Sequence, residues 1–199
     1  MCNYMRQHIS VTRIYVAFFE PSVFWRNPML DNRYKSKKIR IMFTVATILW
    51  MLLIFSFSME PGNESTETSS GVTRFVARIF ISDFETWPEK EQQELLSRWS
   101  YPVRKFGHLT EYAVLGFFAY GTFYSYGFKR KKCFLLAFSV AILYACSDEI
   151  HQYFIPGRDG KALDVCIDSI GSLIGILLFM LCNYSIFSHF IRKVYNGNG

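Results

Sequence analysis

Long apolar runs recur four times along the chain, and each is bounded by charged or polar residues. The runs cover residues 41–59, 106–128, 133–148 and 163–187. A bilayer core requires about 20 mostly apolar residues for one helical span. The pattern therefore predicts an all-α polytopic membrane protein, a bundle of four transmembrane helices. The second, third and fourth runs each carry ionisable residues at one end only.

Lysine and arginine residues are distributed unevenly between the flanks of these runs. Residues 1–40 contain eight basic and two acidic residues, and residues 129–132 are all basic. Residues 60–104 contain eight acidic and five basic residues. Basic residues in short flanks mark the cytoplasmic side of a membrane protein. We therefore expect a multi-pass cell-membrane protein with both termini in the cytoplasm and the loops at 60–104 and 155–162 outside.

The long loop between the first two runs has its own pattern. Residues 62–71 are polar and predict a flexible segment. Residues 72–81 predict a helix that lies on the outer leaflet, and its apolar face consists of Val72, Phe75, Val76 and Ile79. Thr86 and Glu89 have the spacing of a capping box, which predicts a second helix ending at about Trp99. We expect short amphipathic helices in this first extracellular loop, and the favoured interpretation is that they only cover the bundle.

Composition excludes several classes of protein. Mean hydropathy is +0.14, 51% of residues are apolar and 18% are aromatic. The net charge of +6 does not indicate a nucleic-acid partner, because the basic residues lie beside apolar runs and form no amphipathic soluble face. The five cysteines include no CxxC pair, which argues against a disulfide scaffold and a structural zinc module.

The first residues show no signal-peptide pattern. The apolar patch at residues 14–25 is too short and too interrupted to span a membrane, and it fits an interfacial helix. Translation from Met29 would give a more compact four-span protein. The predicted organisation is a cytoplasmic or interfacial segment at 1–38, a transmembrane domain at 39–191 and a cytoplasmic tail at 192–199.

Ionisable and polar residues gather at one end of three predicted spans. They are His108, Glu111 and Tyr112 in the second span, Asp148, Glu149 and Gln152 in the third, and Asp164 and Asp168 in the fourth. Because consecutive spans are antiparallel, we expect these residues to meet at one depth in the outer leaflet. Gly171 and Gly175 continue the stripe of Asp168 as a GxxxG pair, which allows close helix approach.

Buried carboxylates are costly in a membrane unless they are paired, protonated, hydrated or metal-bound. The predicted cluster is therefore a candidate site for general acid–base chemistry, with His108, Glu111, Asp148 and Glu149 as acids, bases or ligands. Arg158, in the loop before the fourth span, would hold a phosphate or carboxylate. One histidine with several carboxylates suits a hard divalent ion better than zinc, and the spacing does not identify a metal.

Simpler interpretations exist for each residue. His108 and Glu111 can form an ordinary interfacial pair, and Asp148 with Glu149 can simply end a span. Arg158 can bind phospholipid headgroups or neutralise Asp148 or Asp164. In the catalytic interpretation, Asp164 would instead orient His108 or Arg158.

Three segments carry a resemblance to a known family. Residues 105–112 are KFGHLTEY, residues 147–154 are SDEIHQYF, and residues 156–158 are PGR, leading to Asp164 and Gly171. With these segments the chain resembles the VanZ-like family of small membrane proteins, over about residues 41–187. Many relatives carry Asn at the position of Asp168, so this chain adds a carboxylate.

The resemblance implies a bacterial cell-envelope membrane protein. The family takes its name from a teicoplanin-resistance protein of Gram-positive bacteria, and some members reduce susceptibility to lipid-tailed glycopeptide antibiotics. Matching positions extend the candidate site to a substrate-binding set: Lys105, Tyr112, Gln152, Arg158, Asp164 and Asp168.

Three functions compete on this basis. The first is an enzyme or binding site for a lipid-linked envelope molecule, such as a cell-wall precursor. The second is a non-enzymatic protein that excludes or sequesters lipoglycopeptide, or assists another envelope enzyme. The third, a small transporter, is disfavoured because the charges lie in one leaflet and no inverted repeat is evident. The expected partners are membrane lipids and a lipid-linked precursor or lipoglycopeptide.

Overall fold

Five α-helices and one short 3₁₀ helix make up the part of the chain that the structure describes. The structure, a computed structural model, describes residues 36–196, with the side chains of residues 36–183. The α-helices are α1 (Lys37–Ser58), α2 (Gly62–Phe80), α3 (Glu89–Ser125), α4 (Arg130–Tyr153) and α5 (Ala162–Asn196). The 3₁₀ helix covers Phe84–Thr86, and residues 36–196 contain no strand. The all-α prediction is confirmed; the interfacial patch at 14–25 and the alternative start at Met29 lie outside the described residues.

Three of these helices are long and apolar enough to cross a membrane. They are α1, α4 and the first 22 residues of α5, Ala162–Asn183. Their outward faces carry exposed aliphatic side chains such as Leu49, Leu143 and Ile170, as a lipid environment requires. The apolar half of α3 is not among the three, because His108, Glu111 and several glycines and tyrosines lower its hydropathy.

Helix α3 lies at the centre of the structure and packs against the other four helices. Its C-terminal half runs antiparallel to α1, and polar contacts mark this pairing at both ends. Arg40 Nε donates to the carbonyl of Ser125 at 3.1 Å. Trp50 Nε1 donates to the carbonyl of Glu111 at 2.8 Å. The 111–125 segment of α3 therefore lies alongside the 40–50 segment of α1.

Glycines bring α3 and α5 into backbone contact. The three contacts are Gly116 with Ser172, Gly171 with Leu109, and Gly175 with Ala113. A Cβ at any of the three glycines would overlap the backbone of the facing helix. This confirms that the predicted GxxxG pair allows close helix approach.

Small side chains also bring α4 close to its neighbours. Its buried stripe begins with Cys133, Ala137, Ala141 and Ala145. The stripe ends in Asp148, Glu149 and Gln152, which are buried as well. One face of α4 therefore changes from apolar to polar along its length, and the polar part lies at the end of α4 that precedes α5.

The predicted flexible segment at 62–71 is helical instead. Helix α2 begins at Gly62, and the hydroxyls of Thr66, Ser69 and Thr73 each donate to the carbonyl four residues earlier. The stripe of Ser65, Ser69, Thr73 and Ala77 is buried, and α2 packs against α3. Tertiary packing of small side chains therefore overrides the weak helix propensity of this polar sequence. The apolar residues from Val72 to Ile79 that were predicted to share a face are exposed.

The predicted break in the next helical region is also wrong. One helix, α3, runs from Glu89 to Ser125 and passes through Pro102, whereas the sequence predicted one helix ending near Trp99 and another starting at 106. The predicted capping box does not form at the start of α3. Pro88 occupies the N-cap position, and Thr86 Oγ1 donates to the carbonyl of Asp83. Burial of Leu96 and Ser100 before Pro102, and of Tyr112 after it, holds both parts in one helix.

We predict that Gly116→Ala lowers the free energy of unfolding by about 1–3 kcal/mol, the usual cost of overpacking. The added methyl group would meet the Ser172 backbone, which cannot move independently of α5. Gly107→Ala is the matched control in the same helix, because nothing lies within 4 Å of a Cβ there. We expect the control to be neutral or slightly stabilising. Equal stability of both variants in detergent denaturation would contradict the close α3–α5 contact.

Candidate functional site

The helix segments that carry the predicted site residues meet at one end of the bundle. We define this polar end as the last turns of α1 and α4, the first two turns of α5, the 104–112 segment of α3 and the loop at 154–161. The amide of Gly62 donates to the carbonyl of Pro156 at 3.0 Å, which joins the start of α2 to this loop. Gly157 packs against Gly62 with a φ of +73°, a conformation that favours glycine.

Three helices each contribute one side chain to a compact cluster in the polar end. His108 comes from α3, Asp148 from α4 and Asp168 from α5. One donor atom of each residue lies within 4.8 Å of the other two. Asp148 is 3% exposed and Asp168 is fully buried, while His108 is half-buried. The cluster is therefore an interior feature, and sequence spacing had placed its members only at one depth.

Asp148 is held on one side by two hydrogen bonds. The hydroxyl of Tyr112 donates to its Oδ2 at 3.4 Å, and Gln152 Nε2 donates to the same atom at 3.1 Å. The other oxygen, Oδ1, is buried and has no hydrogen-bond partner among the described residues. Tyr112 and Gln152 thus orient a carboxylate that the sequence assigned to acid–base chemistry.

Asp164 forms an ion pair with Lys105, from one turn before His108. Both side chains are largely buried, at 17% and 10% exposed for Lys105 and Asp164. The predicted partners of Asp164, His108 or Arg158, are therefore not its direct partners in the structure. Helix rotation brings the long lysine side chain to the start of α5, a contact that spacing within α3 alone does not reveal.

Glu149 binds the loop rather than the cluster. Its Oε2 accepts a hydrogen bond from the backbone amide of Lys161 at 2.8 Å. Gly160 packs directly against the carbonyl of Glu149, so a side chain would not fit there. Glu149 therefore fixes the connection between α4 and α5, and its assignment to catalysis stays a prediction.

Glu111 lies on the same face of α3 as His108, as predicted. Its Oε2 is 4.0 Å from His108 Nδ1, which is too long for a hydrogen bond. The Glu111 side chain is 21% exposed, so it faces the edge of the cluster. This geometry fits both the catalytic interpretation and the interpretation as an ordinary interfacial pair.

Arg158 is anchored to the end of α1. Its Nη2 donates to the carbonyl of Phe57 at 3.1 Å, and its Nε has no hydrogen-bond partner within residues 36–183. Burial, followed by the neighbouring Arg104, lowers the pKa of Arg158. Arginine stays protonated in proteins, so the guanidinium remains charged. The alternative that Arg158 forms an ion pair with Asp148 or Asp164 is not what the described side chains show.

Two further residues support the site, and sequence reasoning had given them no role. Trp50 pins α1 to α3 through the carbonyl of Glu111, and Arg104 donates from Nη2 to Thr66 Oγ1 at 2.6 Å. Arg104 lies four residues before His108 and so shares its helical face, a signal available in the sequence. The Trp50 contact depends on helix packing and has no comparable local signal.

The fold and the cluster define a class: an all-helical protein with membrane-spanning apolar helices and buried ionisable residues at one bundle end. The VanZ/LLP1 family model matches residues 43–183 of the chain. The chain therefore belongs to the VanZ/LLP1 family. No curated protein and no solved structure matches it.

We predict that Lys105→Met lowers the free energy of unfolding by about 3–5 kcal/mol, because Asp164 would be left buried without its partner. The double variant Lys105→Met/Asp164→Leu should recover most of this loss. The matched control is Lys161→Met, which removes the exposed partner of Asp159 and should change stability by less than about 1 kcal/mol. Detergent denaturation followed by circular dichroism measures all three. A double variant as unstable as Lys105→Met would contradict a buried pair.

Proposed function

We propose that the protein is a four-span cell-membrane protein whose polar end faces outward and binds, and acts on, a lipid-linked envelope molecule. We further propose that it reduces susceptibility to teicoplanin-like, lipid-tailed glycopeptides. One observation carries the first proposal: three helices bring His108, Asp148 and Asp168 within 4.8 Å of one another in the interior of the polar end.

The fourth span would be the 106–125 segment of α3. This segment is 20 residues long, about 30 Å as a helix, which matches the bilayer core. Its pairing with α1 through Arg40–Ser125 and Trp50–Glu111 supports this assignment, because a helix alongside a span lies at the same depth. The ionisable residues that lower its hydropathy face into the bundle near Asp148 and Asp164.

The orientation is supported by basic residues at the opposite end of the bundle. The start of α1 carries Lys37 and Lys38, and the connection from α3 to α4 is the basic stretch 129–132. The Arg40–Ser125 contact puts these two flanks at the same end. By the positive-inside rule, that end would be cytoplasmic and the polar end outward.

A lipid-linked molecule suits the surroundings of the cluster. Exposed apolar side chains lie around the polar end, on α3, α4, α5 and the adjoining loop; they are Phe106, Ile150, Tyr153, Phe154 and Leu163. The charged Arg158 lies in the same loop as Phe154, with its guanidinium hydrogen-bonded to the Phe57 carbonyl. An acyl or prenyl chain would contact the apolar side chains, and an anionic headgroup would pair with Arg158.

In this proposal His108 takes a proton from the bound headgroup or gives one to it. Asp148 accepts that proton or stabilises the protonated imidazole. Tyr112 and Gln152 hold Asp148 in one orientation, which is the usual requirement for acid–base catalysis. Glu149 would act through the loop by holding the Lys161 amide, and Arg158 would position the headgroup. Glu111, at the cluster edge, would exchange protons with water.

We expect His108→Ala and Asp148→Asn to abolish the resistance phenotype, because loss of a general acid or base lowers rates about 100-fold or more. The test expresses each variant in a susceptible Gram-positive host and compares a lipid-tailed glycopeptide with one that lacks the tail. Asp159→Asn is the control, since this side chain is 84% exposed on the adjoining loop. Immunoblots of membranes confirm equal amounts. Full resistance in both site variants would refute the proposal.

Profiles of envelope precursors from the same cells separate the enzymatic function from its alternative. If the protein is an enzyme, expression of the wild type should change the precursor profile of the host. Expression of His108→Ala should leave the profile of the host without the protein. A protein that only excludes or sequesters lipoglycopeptide predicts an unchanged profile, and Glu149→Gln would then keep the phenotype while lowering thermal stability.

A further inference from the structure

We propose that His108, Asp148 and Asp168 bind one divalent cation of the manganese or magnesium type inside the polar end. The inference rests on the proposed function only in treating this cluster as a working site, and within it His108 is a ligand to the ion in place of its proton-transfer role. It names a ligand that the family assignment does not supply.

The spacing of the donors fits a single ion. One atom from each residue lies within 4.8 Å of the other two. Oxygen ligands lie about 2.3–2.6 Å from Ca²⁺ and about 2.0–2.1 Å from Mg²⁺, so two ligands of one ion are at most about 5 Å or about 4 Å apart, respectively. Donors at the 4.8 Å limit would therefore close by several tenths of an ångström around an ion of the Mg²⁺ size. Each donor comes from a different helix, and the α3–α5 glycine contact beside Asp168 keeps two of these helices close together.

The carboxylates themselves provide the second argument. Asp168 is fully buried, and neither of its oxygens has a hydrogen-bond partner in the described part of the chain. Asp148 Oδ1 is also buried and has no hydrogen-bond partner among these residues, although Oδ2 accepts two hydrogen bonds. Two buried carboxylates with free oxygens are strongly destabilising unless a positive charge or a proton compensates them.

The nearby cations have other partners. Lys105 is paired with Asp164, and Arg158 donates to the Phe57 carbonyl. A bound divalent cation would neutralise Asp148 and Asp168 together and would use the free oxygens of both. The competing explanation is a proton on Asp168, and the experiment below distinguishes the two.

The donor set indicates the kind of ion. Two carboxylates and one imidazole are mainly hard ligands, which favour magnesium, calcium or manganese, and manganese accepts nitrogen as well. Tyr112 and Gln152 hold Asp148 by Oδ2, which leaves Oδ1 for the ion. Such outer hydrogen bonds are typical supports of metal ligands.

The test titrates Mn²⁺ into the purified full-length protein in lipid nanodiscs after treatment with chelator. We expect one bound Mn²⁺ per chain by electron paramagnetic resonance, with a ¹⁴N coupling from an imidazole. His108→Gln should lose that coupling, and Asp168→Asn should lose the bound ion. Asp159→Asn, which changes an exposed carboxylate in the loop, should keep both the bound ion and the coupling. Mn²⁺ should raise the melting temperature of the wild type and of Asp159→Asn only.

Three results would overturn the inference. They are no stoichiometric Mn²⁺ binding by the folded wild type, equal binding by Asp168→Asn, and an unchanged ¹⁴N coupling in His108→Gln. The last two would indicate an adventitious ion only, and the first would favour a protonated Asp168. If Asp168→Asn fails to fold, His108→Gln still decides the question through the coupling.

Failure of the cation and failure of the proposed function give different results. If the wild type binds no Mn²⁺ but the phenotype still requires His108, the cation site is refuted and the proposed function stands. If the wild type binds Mn²⁺ through His108 but His108→Ala keeps full resistance, the proposed function is refuted and the cation site stands.

Discussion

The backbone contact between α3 and α5 is the constraint on which the polar end depends. Gly171 lies against Leu109, the residue after His108, and Asp168 is one turn before Gly171. Because the two backbones touch there, the side chains of His108 and Asp168 can share one small space. Larger residues at the contact would separate the helices, and the donors could then no longer approach within 4.8 Å.

Helix α4 completes the arrangement through its own stripe of small residues. Ala141 and Ala145 are fully buried, which brings Asp148, the next buried position, to the same level. The polar end is therefore built from close-packed helices whose small residues leave room for charged groups. Burying those groups costs free energy, and the Lys105–Asp164 pair and the hydrogen bonds to Asp148 offset part of that cost.

The sequence predicted those features that depend on periodicity within one helix. The shared face of His108, Glu111 and Tyr112, the GxxxG stripe and the gathering of polar residues at one end follow from helical spacing. The direct partners did not follow from it. Lys105 reaches Asp164 and Glu149 reaches the Lys161 amide because of how the helices are rotated and shifted against each other, which spacing within a helix does not encode.

In the segment before the site, local composition led to wrong predictions. Local composition predicted a flexible stretch at 62–71, but a buried stripe of small hydroxyl side chains makes it part of α2. The sequence also predicted a helix that ends near Trp99, yet α3 continues through this region and through Pro102. In both places contacts with a neighbouring helix outweigh the local preference of the chain.

The continuity of α3 has a mechanical consequence. This helix is about 55 Å long, nearly twice the thickness of a hydrocarbon core. Its first part, residues 89–101, packs with α2, and its later part carries the site. Proline has no amide hydrogen, so the bond that residue 102 would donate to the carbonyl of Arg98 is missing, and bending is easiest at this turn. The start of α2 is held at the polar end by the Gly62–Pro156 hydrogen bond and by the contact of Arg104 with Thr66. Bending at Pro102 would therefore displace the far end of α2 and residues 89–101 more than the segment of α3 that the glycine contacts fix against α5.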